Sequence, residues 1–346
     1  MKVVTFGEIM LRLTPPGYQR FTQAQRFEAT YGGGEANVAV SLAQFGFDAY
    51  FVTQLPDNPL GNAAAGHLRR YGVQTDYVAR GGERLGIYFL EAGASQRSSK
   101  VVYDRARSAI NDLTPDAIDW SRVFDDAHWF HWTGITPALG SGPRDVLRAA
   151  LEAAQSQGVT VSCDLNYRGK LWTVGEARAT MKPLMEYVDV CIANEEDADR
   201  CLDMHAERAD VEAGELDEAG YAALAESLRS EFGFEAVAIT LRQSFSASEN
   251  GWSAMLLGGH GEASPLEQPR RSQQYTIHLV DRVGGGDSFA AGLIYGLLTS
   301  QHAADALEFA AAASCLKQTI PGDVNLSTTE EVKQLVAGSG SGRVER

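Results

Sequence analysis

The chain has 346 residues, 44% of them hydrophobic, enough to bury a full core in one large domain with room for a small appendage. A formal net charge of −15 argues against nucleic acid and anionic membrane surfaces as partners, and no apolar run is long enough to span a bilayer. Cys163, Cys191, Cys201 and Cys315 are scattered and form no C-x-x-C pair, so they read as reduced and buried; with no signal-peptide pattern in "MKVVTFGEI", the expected compartment is the cytoplasm.

Taken in chain order, strand-like and helix-like segments alternate. "VVTFGEI" reads as a strand, "EANVAVSLAQFG" as a helix closed by Gly46, "AYFVTQL" as a strand and "PLGNAAAGHLRRYG" as a helix. A strand at "AHWFHWTG" precedes a helix at "PRDVLRAALEAAQSQG". Strands follow at "VTVSCDLN", "YVDVCIAN" and "EAVAITL", and two small-residue helices at about 286–299 and 303–317. In "AHWFHWTG" a strand puts His128 and His131 on opposite faces, which argues against a shared metal. The acidic run "NEEDADRCLDMHAERADVEAGELDEAG" reads as a solvated surface. Alternation of this length predicts an α/β fold with a mainly parallel sheet and helices on both faces, assigned to residues 1–9, 35–83 and 108–335.

Two segments break the rhythm. Residues 10–34 are polar and aromatic. In residues 84–107, "RLGIYFLEAG" and "KVVYDRAR" are two strands joined by a polar turn, which suggests a hairpin. Both are read as a small β lid, whose open edge could pair with another subunit to make a homo-oligomer. Residues 336–346 read as a flexible tail.

The stretch "DRVGGGDSFAAGL" reads as a glycine turn running into a helix. Helix N-termini leave N–H groups unpaired and favour negative charge, and glycine lets backbone approach a ligand. Gly284, Gly285 and Gly286 could therefore cradle a phosphoryl group, with Asp287 taking a proton from an attacking hydroxyl. A tight turn with Asp287 as a simple cap is the alternative. In "KVVYDRAR" a strand sets Tyr103 and Arg105 on one face, able to point together at a ligand, and a guanidinium can hold a carboxylate through two hydrogen bonds. Tyr88 is a further contact from the lid, and Gly33 and Gly34 would let amides approach a small ligand.

The glycine–aspartate run resembles the second signature of the ribokinase (phosphofructokinase-B type) family of sugar kinases, although Arg282 departs from the small or β-branched residue common there. "YGGGEANVAVSLAQFG" resembles the family's first signature, with Asn37 at its Asn position. "CDLNYRGKLW" and "ANEEDA" sit where members carry a strand-end Asn and an N-x-x-E motif, here ending in Asp197 instead of Glu. The resemblance covers nearly the whole chain and implies a ribokinase-like fold. Within the family, "RLGIYFLE", "VVYDRARSAI", "WTGITPAL" and "DLNYRGKLW" are similar to the members that phosphorylate 2-keto-3-deoxygluconate, which implies a small sugar acid and ATP as ligands.

The resemblance also implies ATP and Mg²⁺ as cofactors, with a monovalent cation as a further candidate. By it, Asn166 and Arg168 face the phosphates or the sugar, Asn194 the nucleotide, and Glu195 or Asp197 the magnesium through water. Thr240, Arg242, Ser246 and Gly251 lie where members place a nucleotide loop, and Asp323 aligns with a substrate contact. Three other readings stay open. A sibling kinase could act on fructose, ribose or another sugar acid. A catalytically silent sugar-binding regulator would show no ATP turnover. An NAD-dependent Rossmann enzyme is poorly supported, because no G-x-G-x-x-G follows the first strand. The gluconate- and galactonate-derived epimers are not distinguished.

Overall fold

The computed structural model describes residues 1–205 and 218–338. In chain order it forms β1 (Lys2–Phe6), β2 (Met10–Thr14), β3 (Glu28–Gly32), α1 (Gly34–Gln44), β4 (Asp48–Leu55), α2 (Pro59–Arg70), β5 (Val78–Arg80), β6 (Ile87–Glu91) and β7 (Lys100–Asp104). Then come α3 (Trp120–Val123), β8 (Ala127–Thr133), α4 (Ile135–Ala138), α5 (Ser141–Gln157), β9 (Thr160–Asp164), α6 (Val174–Leu184), β10 (Val190–Ala193), α7 (Glu195–Asp197) and α8 (Glu218–Phe232). The remainder is β11 (Ala236–Ser244), β12 (Glu249–Gly258), β13 (Leu266–Arg271), β14 (Tyr275–His278), α9 (Gly285–Thr299), α10 (Ala303–Lys317) and α11 (Thr329–Val336).

Ten strands make one sheet in the order β13-β12-β11-β10-β9-β8-β1-β4-β5, with β14 paired to β12. From β11 through β5 every pairing is parallel, and β12 turns the sheet antiparallel at one end. Alternate residues of a strand serve opposite faces. Along β8, Trp129 belongs to the core cluster that holds residues of α1, α9 and α10, while Phe130 and Trp132 belong to the cluster on the other side with residues of α3 and α5. Helices therefore cover both faces, as strand–helix alternation requires.

The four-stranded sheet, in the order β3-β2-β6-β7, is made from the two segments that interrupt the alternation. Its β6 and β7 are an antiparallel pair with Tyr88 opposite Tyr103. The expected first strand stops three residues early, because β1 ends at Phe6 and residues 7–9 turn the chain into β2. The serine-rich stretch expected to be a nucleotide loop is the turn of the β11–β12 hairpin, in which Arg242 pairs with Trp252 and Ser244 with Asn250. β12 is buried almost throughout and so lacks the polar–apolar alternation that marks a strand in sequence. Val336, expected in a tail, ends α11; residues 339–346 of that expected tail, and residues 206–217 of the acidic run, lie outside the described residues. The cysteines are unpaired, three of them buried and Cys315 partly so.

Candidate active site

Because its strands run parallel, the sheet presents several C-terminal ends along one edge, and α/β folds build their sites there. Residues just past β1, β9 and β10 (Glu8, Asn166 and Asn194) line a cleft of about 480 Å³, together with Thr240 of β11. Its other wall comes from the small sheet through Met10, Tyr88, Val101 and Tyr103, and from Arg105 one residue past β7.

Two helix N-termini open into this cleft. Gly33 caps α1 and Gly284 caps α9. Gly284 has φ +81°, and a Cβ there would sit 1.9 Å from the Asp323 carbonyl, so glycine is required twice over. The two turns touch through side chains: Asn37 Nδ2 donates to Asp287 Oδ2 at 2.7 Å. Asp287 is the third residue of α9, half-buried beside the turn, in which Gly285 N donates to the Arg282 carbonyl at 3.3 Å while the Gly284 and Gly286 amides have no backbone partner among the described residues. Burial pushes its carboxyl up to about 6, with Asp323 adding to the rise, while the Asn37 hydrogen bond and the charges of Arg168 and Lys317 pull the other way. A carboxylate poised near neutrality beside an anion-binding turn can accept a proton from a hydroxyl as negative charge builds on the transferred group.

Asn166 follows β9 with φ +40°, a left-handed conformation that asparagine tolerates better than most residues. It bonds Asp164, whose carboxyl is pushed well up by burial and by the charges of Asp197 and Asp287. Arg168 is exposed on the rim. Asn194 caps α7, accepting from Asp197 N at 2.8 Å, and Asp197 Oδ1 accepts from Tyr167 N at 2.8 Å. Burial raises the Asp197 carboxyl to about 6. Glu195, Asp197 and Asp164 thus give one wall of the cleft a set of oxygen donors.

The strand expected to carry Tyr103 and Arg105 together ends at Asp104, so Arg105 lies just past β7; it places both Nε and Nη2 on Glu8 Oε2 and lies over the Tyr103 ring at 5.5 Å. Sequence reasoning read Arg105 as free to meet a ligand; the structure gives it a carboxylate partner already, and Glu8 also accepts from Ser108. Tyr88 donates to Asp323, which also pairs with Arg12, so these two expected ligand contacts bond each other first. Thr240 and Arg242 line the cleft, as do Gly33, Gly34, Gly285 and Gly286. Ser246 and Gly251 are not brought to it. The Ser246 hydroxyl accepts from Ser248 N and Glu249 N within the hairpin turn, and Gly251 sits in the ladder opposite Gln243.

Several residues of the site went unread in the sequence. Arg12 and Lys317 are buried to 4% and 0% exposure. Lys317 continues the buried stripe of Ala310, Ala313 and Ser314 at helical spacing, and Arg12 shares the buried phase of β2 with Met10, so a charge inside an apolar period was the available signal. Asp281 carries no such pattern. Arg282, noted only as a departure, donates to Asn250 at 3.2 Å; burial and the neighbouring charge of Arg242 lower its pKa.

Residues 1–330 match the model of the pfkB family carbohydrate kinases. A 2-dehydro-3-deoxygalactonokinase of Haloferax volcanii is 34% identical over 343 residues, 99% of this chain and 98% of the relative. A 2-dehydro-3-deoxygluconokinase of Bacillus subtilis is 28% identical, covering 96% of this chain and 94% of the relative. The crystal structure of 2-dehydro-3-deoxygluconokinase from Thermotoga maritima superimposes with a TM-score of 0.93 at 56% identity, covering 98% of this chain and 100% of the other.

Proposed function

We propose that this chain, which belongs to the pfkB family of carbohydrate kinases, transfers the γ-phosphoryl group of ATP to the 6-hydroxyl of 2-keto-3-deoxygluconate, giving 2-keto-3-deoxy-6-phosphogluconate. The observation that carries the reading is a carboxylate, Asp287, set in the first turn of a three-glycine helix N-terminus and facing a wall that bears guanidinium groups. In the reaction the hydroxyl oxygen bonds the γ-phosphorus, its proton passes to Asp287, and the bond to the bridging oxygen breaks with its electrons leaving on ADP. The amides of residues 284–286 stabilise the charge on the moving group.

The rest of the cleft divides between two ligands. Arg242 and Arg282 repel one another at one end, and a triphosphate would relieve that repulsion. Asn166, Asn194 and Thr240 accompany them on the nucleotide side. Mg²⁺ suits the all-oxygen wall of Asp164, Glu195 and Asp197, since it keeps much of its water and binds few carboxylates; when bound it neutralises phosphate charge. At the other end Gly33, Gly34, Asn37, Tyr88, Tyr103, Arg105, Arg168 and Asp323 surround the sugar. The pairing of Arg105 with Glu8 leaves Nη1 without a partner among the described residues, and that group supports recognition of a sugar carboxylate.

A coupled ATPase assay over neutral sugars and sugar acids tests the reading. Turnover is expected with 2-keto-3-deoxy sugar acids in preference to fructose and ribose. Faster turnover of a neutral sugar would identify a sibling kinase, and no turnover with any sugar would leave a binding protein. The 34% identical relative is named for the galactonate-derived epimer, so both epimers belong in the panel. Running it in potassium and in tetramethylammonium salts reads the requirement for a monovalent cation.

A further inference from the structure

Strand alternation turns Met10 and Arg12 of β2 to the same inward face. A guanidinium cannot discharge itself by losing its proton, so a buried one needs anionic partners. Arg12 has two, one on each terminal nitrogen: Nη2 lies 2.5 Å from Asp281 Oδ2, and Nη1 pairs with Asp323 Oδ1. Neither partner belongs to the small sheet. Asp281 opens the glycine turn, and Asp323 lies behind it with its carbonyl against Gly284.

Asp281 is also the residue to which the turn is tied. Its Oδ1 accepts from Val283 N at 3.1 Å, its Oδ2 from Gly322 N at 3.1 Å, and its main-chain carbonyl from Lys317 Nζ at 2.9 Å. The four charges balance, Arg12 and Lys317 against Asp281 and Asp323. Without Arg12, the buried carboxylate of Asp323 and the partly buried one of Asp281 would stand behind amides that have to receive a phosphoryl group.

We propose that Arg12 is a positioning residue for phosphoryl transfer, tying the sheet that holds the sugar to the turn that holds the moving phosphoryl group. The glycine amides are set only when the small sheet is seated, so sugar binding and ordering of the turn are one event. ATP that arrives without sugar meets an unset turn, which limits transfer to water. The inference rests on the kinase reading above.

Steady-state kinetics and hydrogen exchange on Arg12→Gln and Arg12→Lys test it in the full chain. Arg12→Gln is expected to lower kcat by about 10- to 100-fold, with KM for ATP changed less than about threefold, because alignment and not affinity is lost. In the wild type, saturating sugar should slow exchange in residues 282–287 as well as in residues 84–107. In Arg12→Gln the second segment should still slow and the first should not. Arg12→Lys keeps the charge but not the fork, and should fall between; it carries the test if the glutamine variant does not fold. Slowing of residues 282–287 equal to wild type, or kcat within about twofold, would overturn the inference. Wild-type turnover is measured alongside: if it fails with sugar acids, the substrate reading fails, and the Arg12 comparison proceeds with whichever sugar the wild type phosphorylates.

Discussion

Asp287 and Arg105 show how one residue's neighbours decide its chemistry. Asp287 is pushed up to about 6 by burial and steadied by Asn37, which keeps it ionised at neutral pH yet basic enough to take a proton. Asp287→Asn keeps the shape and the Asn37 contact but removes the base. It is expected to lower kcat by about 10²–10⁴ while ATP and sugar still bind. Retention of more than about a tenth of wild-type kcat, read by the coupled assay, would take Asp287 out of that role. Arg105 is held in place by Glu8 and stacked on Tyr103, which pre-orients its remaining nitrogen at little entropic cost. A charge-assisted contact to the sugar carboxylate is worth about 1.5–3 kcal/mol. Arg105→Ala should therefore raise KM for the sugar acid by roughly 10- to 150-fold and KM for ATP far less, with partial recovery in Arg105→Lys. Values within about twofold of wild type in both variants would assign Arg105 to its ion pair with Glu8 alone.

Among the elements, α9 matters most, because it carries the glycine turn and Asp287 at its N-terminus. Its own apolar periodicity is almost featureless, and its position comes from close packing on α10: a Cβ on Gly296 would lie 2.4 Å from Ala306 Cα, and one on Gly292 2.8 Å from Ala310 Cα. Gly296→Ala should push the helices apart and destabilise the fold by about 1–3 kcal/mol, visible as a lowered Tm, despite alanine's better helix propensity. An unchanged or raised Tm would show that the two backbones have room to separate. The β6–β7 hairpin is a mobile candidate. It meets the large domain mainly through separate polar contacts: Ser95 N donates to Ser248 Oγ and its carbonyl accepts from Ala247 N, Lys170 donates to the Val101 carbonyl, Tyr88 donates to Asp323, and Arg105 reaches Glu8, with Val283 packed against the Tyr88 cluster. Such a seam, with little apolar packing, suits a lid that closes on its ligand. Hydrogen exchange of residues 84–107 should slow when the sugar acid is added, and unchanged exchange at saturation would count against closure.

At the scale of the whole molecule, acid has opposite effects on stability and on activity. Burial raises the carboxyls of Glu35 to about 7, of Asp197 and Asp287 to about 6, and of Asp164 well above the usual range. A group whose folded pKa is raised binds protons in the fold first, so its stabilising contribution is full at low pH and is lost as pH rises through the folded value. His67 and His131, pushed down by burial to about 4 and about 3, act the other way below about pH 6.5. With Asp189 also raised by burial, five such carboxyls outnumber the two histidines, so stability should rise from pH 8 to pH 6, by about 1.4 kcal/mol per pH unit for each net proton. Over the same range kcat should begin to fall as Asp287 takes up its proton near 6. A Tm at pH 6 no higher than at pH 8 would contradict the first expectation, and a kcat flat from pH 8 to pH 5 the second. Relief of the −15 charge adds to the stability trend.

Whereas β5, β12, β13, β14, α6 and α8 were not read in the sequence, the parallel core of the large sheet from β11 to β4, the helices α1, α2, α5, α9 and α10, the two signature turns and the hairpin were legible there. Each rests on local physics: period-2 and period-3.6 burial, glycine at turns, and strands too close together for a crossover. Asp287 and Asn37 could each be picked out from their own motif, but only folding brings these residues, 250 positions apart, to 2.7 Å. The same holds for the ion pairs. Nothing near Arg12 in the chain announces Asp281 or Asp323, and nothing near Arg105 announces Glu8, because a charge partner is chosen by topology and not by spacing. The serine-rich turn misled for the converse reason: its composition suits a ligand loop or a hairpin turn equally, and only the pairing of β11 with β12 turns the Ser246 hydroxyl back onto its own backbone. Local pattern determined which residues carry chemistry; tertiary structure alone decided which of them meet, because burial and partner charge arise only when distant segments share one cleft.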